Sequence, residues 1–282
     1  MNAPLPIVPN ALPFFFNVDP GTRFCLYHGP NNSVPARGAI LYVHPFAEEI
    51  NKTRRMATLQ ARAFAAMGYA VLQMDLFGCG DSCGDFQAGR WEQWKRDLGV
   101  AAEWLAERTR GLPLHLWGVR LGALLALDFA TIRQVESVIL WQPFINGRTC
   151  INQFLRLRLA AAMDDDDAAP RSTSALRAEL VTRGRLEVAG YELDAAMVRG
   201  IDACDAAGLA LLPCSVHWFA SGAPAARKLA AAAARLDERW GPRGVTLHFH
   251  PVDGVPFWAT NDITECPALL ATTGAVFAAG AS

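Results

Sequence analysis

From about residue 38 to the C-terminus, short apolar runs alternate with longer segments of helical period, the pattern of a parallel sheet covered by helices. Upstream, Phe14–Val18 and Arg23–His28 read as a strand pair joined by the turn Asp19-Pro20-Gly21. Gly38–His44 is predicted as a buried strand, followed by a charged loop and an amphipathic helix over Arg54–Met67 that stops at Gly68. Tyr69–Leu76 is the next strand and Phe77–Gly84 a glycine-rich loop. Trp91–Arg108 sets Trp94, Leu98, Ala101, Trp104 and Leu105 at helical spacing. Leu114–Trp117, Leu121–Ala130 and Ser137–Trp141 follow as strand, very apolar helix and strand. The rhythm then breaks until Cys214–Ala220, Ala225–Trp240, Val245–His250 and Pro267–Ala279 restore strand, helix, strand and helix. The tryptophans Trp91, Trp94, Trp104 and Trp117 are read as core.

This periodicity predicts one elaborated α/β domain. Its mostly parallel central sheet is flanked by helices and built from residues 1–142 and 213–282, with residues 143–212 inserted as a helical cap or lid. The length of 282 residues and the hydrophobic content of 52% suffice for a large core. A net charge of −1, from 26 basic and 27 acidic residues, gives no broad electropositive face, so nucleic acid is not expected as a partner. The N-terminal segment lacks early basic residues and is broken by Pro9 and Pro13, which argues against a signal peptide. No apolar run is long enough to suggest a membrane span. Seven cysteines, an odd number scattered mostly in apolar segments, fit reduced thiols and a cytoplasmic location. Cys79 and Cys83 share the glycine-rich loop without a second donor pair, and Asp164–Asp167 lacks the spaced ligands of a calcium loop. Neither a metal nor a cofactor is therefore expected.

The most telling stretch is Pro113-Leu114-His115-Leu116-Trp117-Gly118-Val119-Arg120-Leu121-Gly122-Ala123: a short strand, a Gly-x-x-x-Gly turn and an apolar helix. It has the layout of the nucleophile elbow G-x-S-x-G, whose glycines permit a sharp strand-to-helix turn. At its centre, however, stands Arg120, a permanently protonated donor that cannot attack.

Three motifs together resemble the α/β-hydrolase superfamily over nearly the whole chain: Tyr42-Val43-His44-Pro45-Phe46, Asp75-Leu76-Phe77-Gly78-Cys79-Gly80-Asp81-Ser82, and the elbow. The first is similar to the strand end whose loop helps form an oxyanion hole, and the second matches the family's D-x-x-G-x-G-x-S loop. The segments HPFAEEINKTRRM, QMDLFGCGDSCGDF and LWGVRLGALLALDFA resemble more narrowly the subfamily called exosortase A system-associated hydrolase 2. That resemblance implies a bacterial setting beside exopolysaccharide and protein-sorting genes. Carrying the triad over fails at each position. Arg120 holds the nucleophile's place, Pro256 falls where the histidine is usual, and Ser221-Gly222-Ala223-Pro224 offers no carboxylate. His248 or His250 is an alternative base.

A cation at a helix N-terminus wants an anion beside it. Glu48 and Glu49, in the loop after the His44 strand, are the expected partners in a bidentate pair. Two readings stay open: Arg120 is half of an ion pair replacing a dead nucleophile, or Arg120, with Lys52, Arg54 or Arg55 nearby, grips the carboxylate or phosphate of a small anionic or acyl ligand under the cap. His44 ends a strand at the face where sites form and is either functional or bonded to the next loop. Cys79 or Cys83 is a substitute nucleophile, and Phe46, Trp141 and Trp258 are expected to line a pocket. The functional expectation is a protein with a degraded triad that binds such a ligand or a partner protein, including a second copy. The alternative is an active hydrolase or acyltransferase on small esters or thioesters, using His44, Glu48, Glu49, Arg120 and Cys79.

Overall fold

A computed structural model describes residues 11–162, 172–260 and 262–279; the Asp164–Asp167 run lies outside the described residues. Alternation along β3 (Gly38–Val43) sends Ile40 and Tyr42 to one face of a sheet and Leu41 and Val43 to the other, and both faces are buried. The same holds for β4 (Tyr69–Met74), β5 (Leu114–Val119), β6 (Ser137–Trp141) and β9 (Ser215–Ser221). With β10 (Thr246–Val252) these strands run parallel, while β1 (Leu12–Asn17) and β2 (Thr22–His28) add an antiparallel margin. The eight-stranded order is β1-β2-β4-β3-β5-β6-β9-β10.

Two layers of helices cover the sheet. On one face, α1 (Glu49–Ala66) and α8 (Pro267–Ala279) bury Met56, Phe64, Leu269 and Phe277 against Tyr42, Trp117, Trp141 and Phe219. On the other, α2 (Trp91–Arg108), α3 (Leu121–Phe129) and α7 (Ala223–Trp240) cover Leu41, Leu72, Leu116, Leu140 and Trp218. Between β6 and β9 come α4 (Gly147–Ala162), α5 (Thr173–Arg183), the hairpin of β7 (Arg185–Val188) and β8 (Tyr191–Asp194), and α6 (Ala195–Asp202). Polar side chains start two of these helices: Ser172 accepts from the Ala175 amide and Asp194 from those of Ala196 and Met197. The inserted segment rests on the strand ends through Phe154 against Phe46 and Tyr191 against Phe86.

Two expectations need correction. Helix α1 starts at Glu49, not Arg54: Ile50 and Thr53 already belong to its buried stripe, which the run of charges from Glu48 to Arg55 conceals. Strand β10 extends past His250 to Val252, held by its parallel register with β9. Among the described residues no helix is long and apolar enough to cross a membrane.

Candidate functional site

The turn from β5 into α3 has the sharp geometry the glycines predicted. Arg120 sits at φ 56° and ψ −117°, a region that costs a non-glycine residue roughly 1–3 kcal/mol. Its amide donates to Trp141 O (3.0 Å), and its carbonyl accepts from the amides of Ala123 and Phe144. A Cβ on Gly118 would lie 2.4 Å from Ala123 Cα, and one on Gly122 would lie 2.3 Å from the carbonyl oxygens of both Val43 and His44. The glycines are thus required by close backbone approach. Ala47 and Gln142 also have positive φ, so three of the five such non-glycine residues among those described gather at these strand ends.

The Arg120 side chain is buried and pairs with Glu49, its Nε donating to Oε1 at 3.1 Å and Oε2 at 3.3 Å. Nη1 reaches Gln142 O at 3.5 Å, and Nη2 is buried with no acceptor among the described residues. The Phe144 ring lies 4.1 Å and the Trp258 ring 5.1 Å from the guanidinium carbon, a cation–π clasp made by two rings. Burial pushes the Glu49 carboxyl up to about 7, outweighing the opposing attraction of Arg120. Glu48 is also raised, first by burial, and its Oε2 lacks a partner. A cavity of about 40 Å³ opens beside Glu48, Glu49 and Phe144, walled by Phe46, Phe154 and Leu157. The α3 N-terminus leaves the Leu121 and Gly122 amides without intrahelical acceptors, giving the site positive character.

The remaining expected residues divide clearly. Lys52 lies near enough for its charge to act on both Glu48 and Glu49. Arg54 and Arg55 do not join Arg120: Arg54 pairs with Asp75 at 3.0 Å and Arg55 with Glu265. Helix α1, beginning five residues early, carries them away from the elbow. His44 has both ring nitrogens occupied, Nδ1 donating to Pro45 O at 2.7 Å and Nε2 accepting from the Leu76 amide at 3.1 Å, and burial lowers its pKa. It is a neutral brace between two loops. Cys79 is buried and its thiol is raised, chiefly by burial, so it is a poor nucleophile. The cavity of about 10 Å³ that it shares with His44 and Gly122 is the size of one water. Cys83 instead takes hydrogen bonds from the Thr22 amide and Arg23 Nη1. Trp141 lies in the core rather than at a pocket wall: it is 1% exposed, its indole donates to Thr273 Oγ1 and its ring packs on Trp117 and Phe257.

Beyond β10, Pro256 points to solvent, and Trp258 from the same loop covers the arginine. His248 and His250 turn to His217 on the face covered by α8. Ser221, which ends β9, is tied through its amide to Gln142 Oε1. The D-x-x-G-x-G-x-S loop is a structural stitch: Asp75 Oδ2 accepts from the Asp81 amide, and Ser82 Oγ accepts from the Phe24 amide and donates to Asp75 O. Gln142 and Phe144 escaped the sequence reading. Their signal is position, immediately after a buried strand at the edge where parallel sheets build sites.

The family model Hydrolase_4, described as serine aminopeptidase S33, matches residues 34–210. No curated protein matches the sequence. Among solved structures, the chain is similar to Est1E from Butyrivibrio proteoclasticus bound to ferulic acid, with a TM-score of 0.66 at 12% identity over 95% of this chain and 97% of that one. It is also similar to a soluble variant of monoglyceride lipase from Saccharomyces cerevisiae in complex with a substrate analog, with a TM-score of 0.63 at 14% identity over 97% and 98%. Mouse alpha/beta hydrolase domain-containing protein 10 gives a TM-score of 0.60 at 13% identity over 95% and 98%. At such identities these structures speak for the fold alone. Fold, elbow and family match converge on one conclusion: the chain belongs to the serine aminopeptidase S33 family of α/β-hydrolases.

Proposed function

We propose that this protein is a non-hydrolytic member of its family that binds a small carboxylate or acyl-carboxylate ligand under the inserted segment, with Arg120 as the anchor. The observation that carries this reading is the buried, unpartnered Nη2 of Arg120. Glu49 takes the Nε edge of the guanidinium and leaves that donor, whose desolvation a ligand oxygen would offset. The cavity beside Glu49 has phenyl walls suited to an acyl chain. A serine relay has no nucleophile at position 120, and His44 and Cys79, the substitutes an unorthodox hydrolase would need, are bonded or buried. Family membership is the one argument for a working hydrolase. On the resemblance of its loop segments we further place the protein in a cytoplasmic, exosortase- and exopolysaccharide-associated setting, where the ligand-bound form meets a partner protein or a second copy.

Thermal shift and calorimetry with straight-chain carboxylates and the matched alcohols test the binding. Carboxylates are expected to raise the melting temperature, by the equivalent of about 2.7 kcal/mol at a hundredfold excess over Kd. The alcohols are expected to have no effect, and Arg120→Met to abolish the response. The same preparation is expected to leave p-nitrophenyl and thioester substrates intact and to resist fluorophosphonate. Arg120→Ser is expected to stay inert, because a serine there has no base. Turnover lost in a folded His44→Ala or Cys79→Ala variant would overturn this function.

A further inference from the structure

Four of the six histidines lie away from the elbow, along the part of the sheet covered by α8. His115 is tied to Ser137 Oγ at 2.7 Å. The other three form a compact group at the open β10 edge. His217 on β9 stands in register with His248 on β10, and their rings stack at 4.9 Å with 15° between planes. His250 lies two residues farther along the same face of β10, and its Nε2 is 3.2 Å from His217 Nδ1. Phe219 stacks on His250 at 4.5 Å, and Phe277 of α8 abuts His217 at 5.7 Å, so aromatic walls fix these rings from below. His248 is exposed.

We propose that His217 and His250, joined by His248, form a surface site for a divalent transition-metal ion of the zinc, nickel or cobalt class. Two imidazole nitrogens on a tetrahedral zinc, each about 2.0–2.1 Å from the metal, stand about 3.3 Å apart. The His217–His250 separation of 3.2 Å already meets that spacing. Among the described residues no three donors enclose an ion as they stand. The arrangement is a two-nitrogen seat, and rotation of the exposed His248 ring brings in the third ligand. Entry of the ion replaces the contact between the two rings, and the proton on the donor nitrogen moves to the other nitrogen of its own ring, so both ligands bind as neutral imidazoles.

The test uses the full chain without a histidine tag. Calorimetric titration with zinc chloride at neutral pH is expected to give one tight equivalent per chain. His217→Ala and His250→Ala are expected to weaken it on the order of 100-fold and His248→Ala about tenfold, no less than the loss of a partner outside the ligand shell costs. His115→Asn is expected to bind as the native chain does. Cobalt(II) loading of the native chain needs no variant: a d–d spectrum without a thiolate charge-transfer band is expected. Absence of a stoichiometric equivalent, unchanged affinity in a folded His217→Ala variant, or a thiolate band each overturns the site.

Discussion

Arg120 and Glu49 are unequal partners although they share one contact. The guanidinium keeps its charge under all conditions, whereas the Glu49 carboxyl, raised to about 7, is poised to take a proton. Removing the acid therefore strands a buried cation, while removing the base leaves a group able to neutralise itself. Glu49→Leu is expected to cost about 3–5 kcal/mol and Arg120→Met only about 1–3 kcal/mol. The double variant is expected to lie near the Arg120→Met value. Urea unfolding of the four proteins measures this cycle, and equal costs for the two single changes would contradict the asymmetry. Glu49 was legible as the partner because its loop must face the elbow. Its place in the first turn of α1 was not, because charged residues carry no periodicity signal.

The strand–turn–helix unit at residue 120 owes its shape to glycines packed against carbonyls. Gly122→Ala would drive a Cβ into the Val43 and His44 oxygens, so β3 and α3 must part. We expect this variant to lose several kcal/mol, well beyond the roughly 1 kcal/mol that helix propensity alone would return in its favour. Circular dichroism melts check this, and a neutral or stabilising result would show that the contact can relax. Most strands and helices were readable because apolar period is a local property. The roof over Arg120 was not, since Phe144 and Trp258 come together only when β6 and β10 are placed on either side of β9. Trp141 likewise read as a pocket residue from its place at a strand end, yet the parity of β6 turns it toward α8. The Arg54 and Arg55 partners, Asp75 and Glu265, are likewise long-range choices that no motif announces.

Taken as one body, the protein buries three of its six histidines and half-buries two more. His28, His44, His115, His217 and His250 are all lowered, first by burial, with His115 and His217 at about 4. In the unfolded chain each takes a proton near about pH 6.5. Between that value and the folded ones the unfolded state binds more protons, so stability rises with pH and is lost on acidification. Glu49, between about 4.5 and 7, and the likewise raised Glu48 work in the opposite sense, but two carboxyls are outnumbered by five imidazoles. Melting temperature is expected to be level above about pH 6.5 and to fall below it. A profile flat down to pH 5 would contradict the burial of these rings. The clasp on Arg120 has a reach that its small size hides. Glu49 at the start of α1, Gln142 and Phe144 after β6, and Trp258 after β10 lie far apart along the chain, and one cation holds them all. These segments are riveted at a single point, so they loosen together.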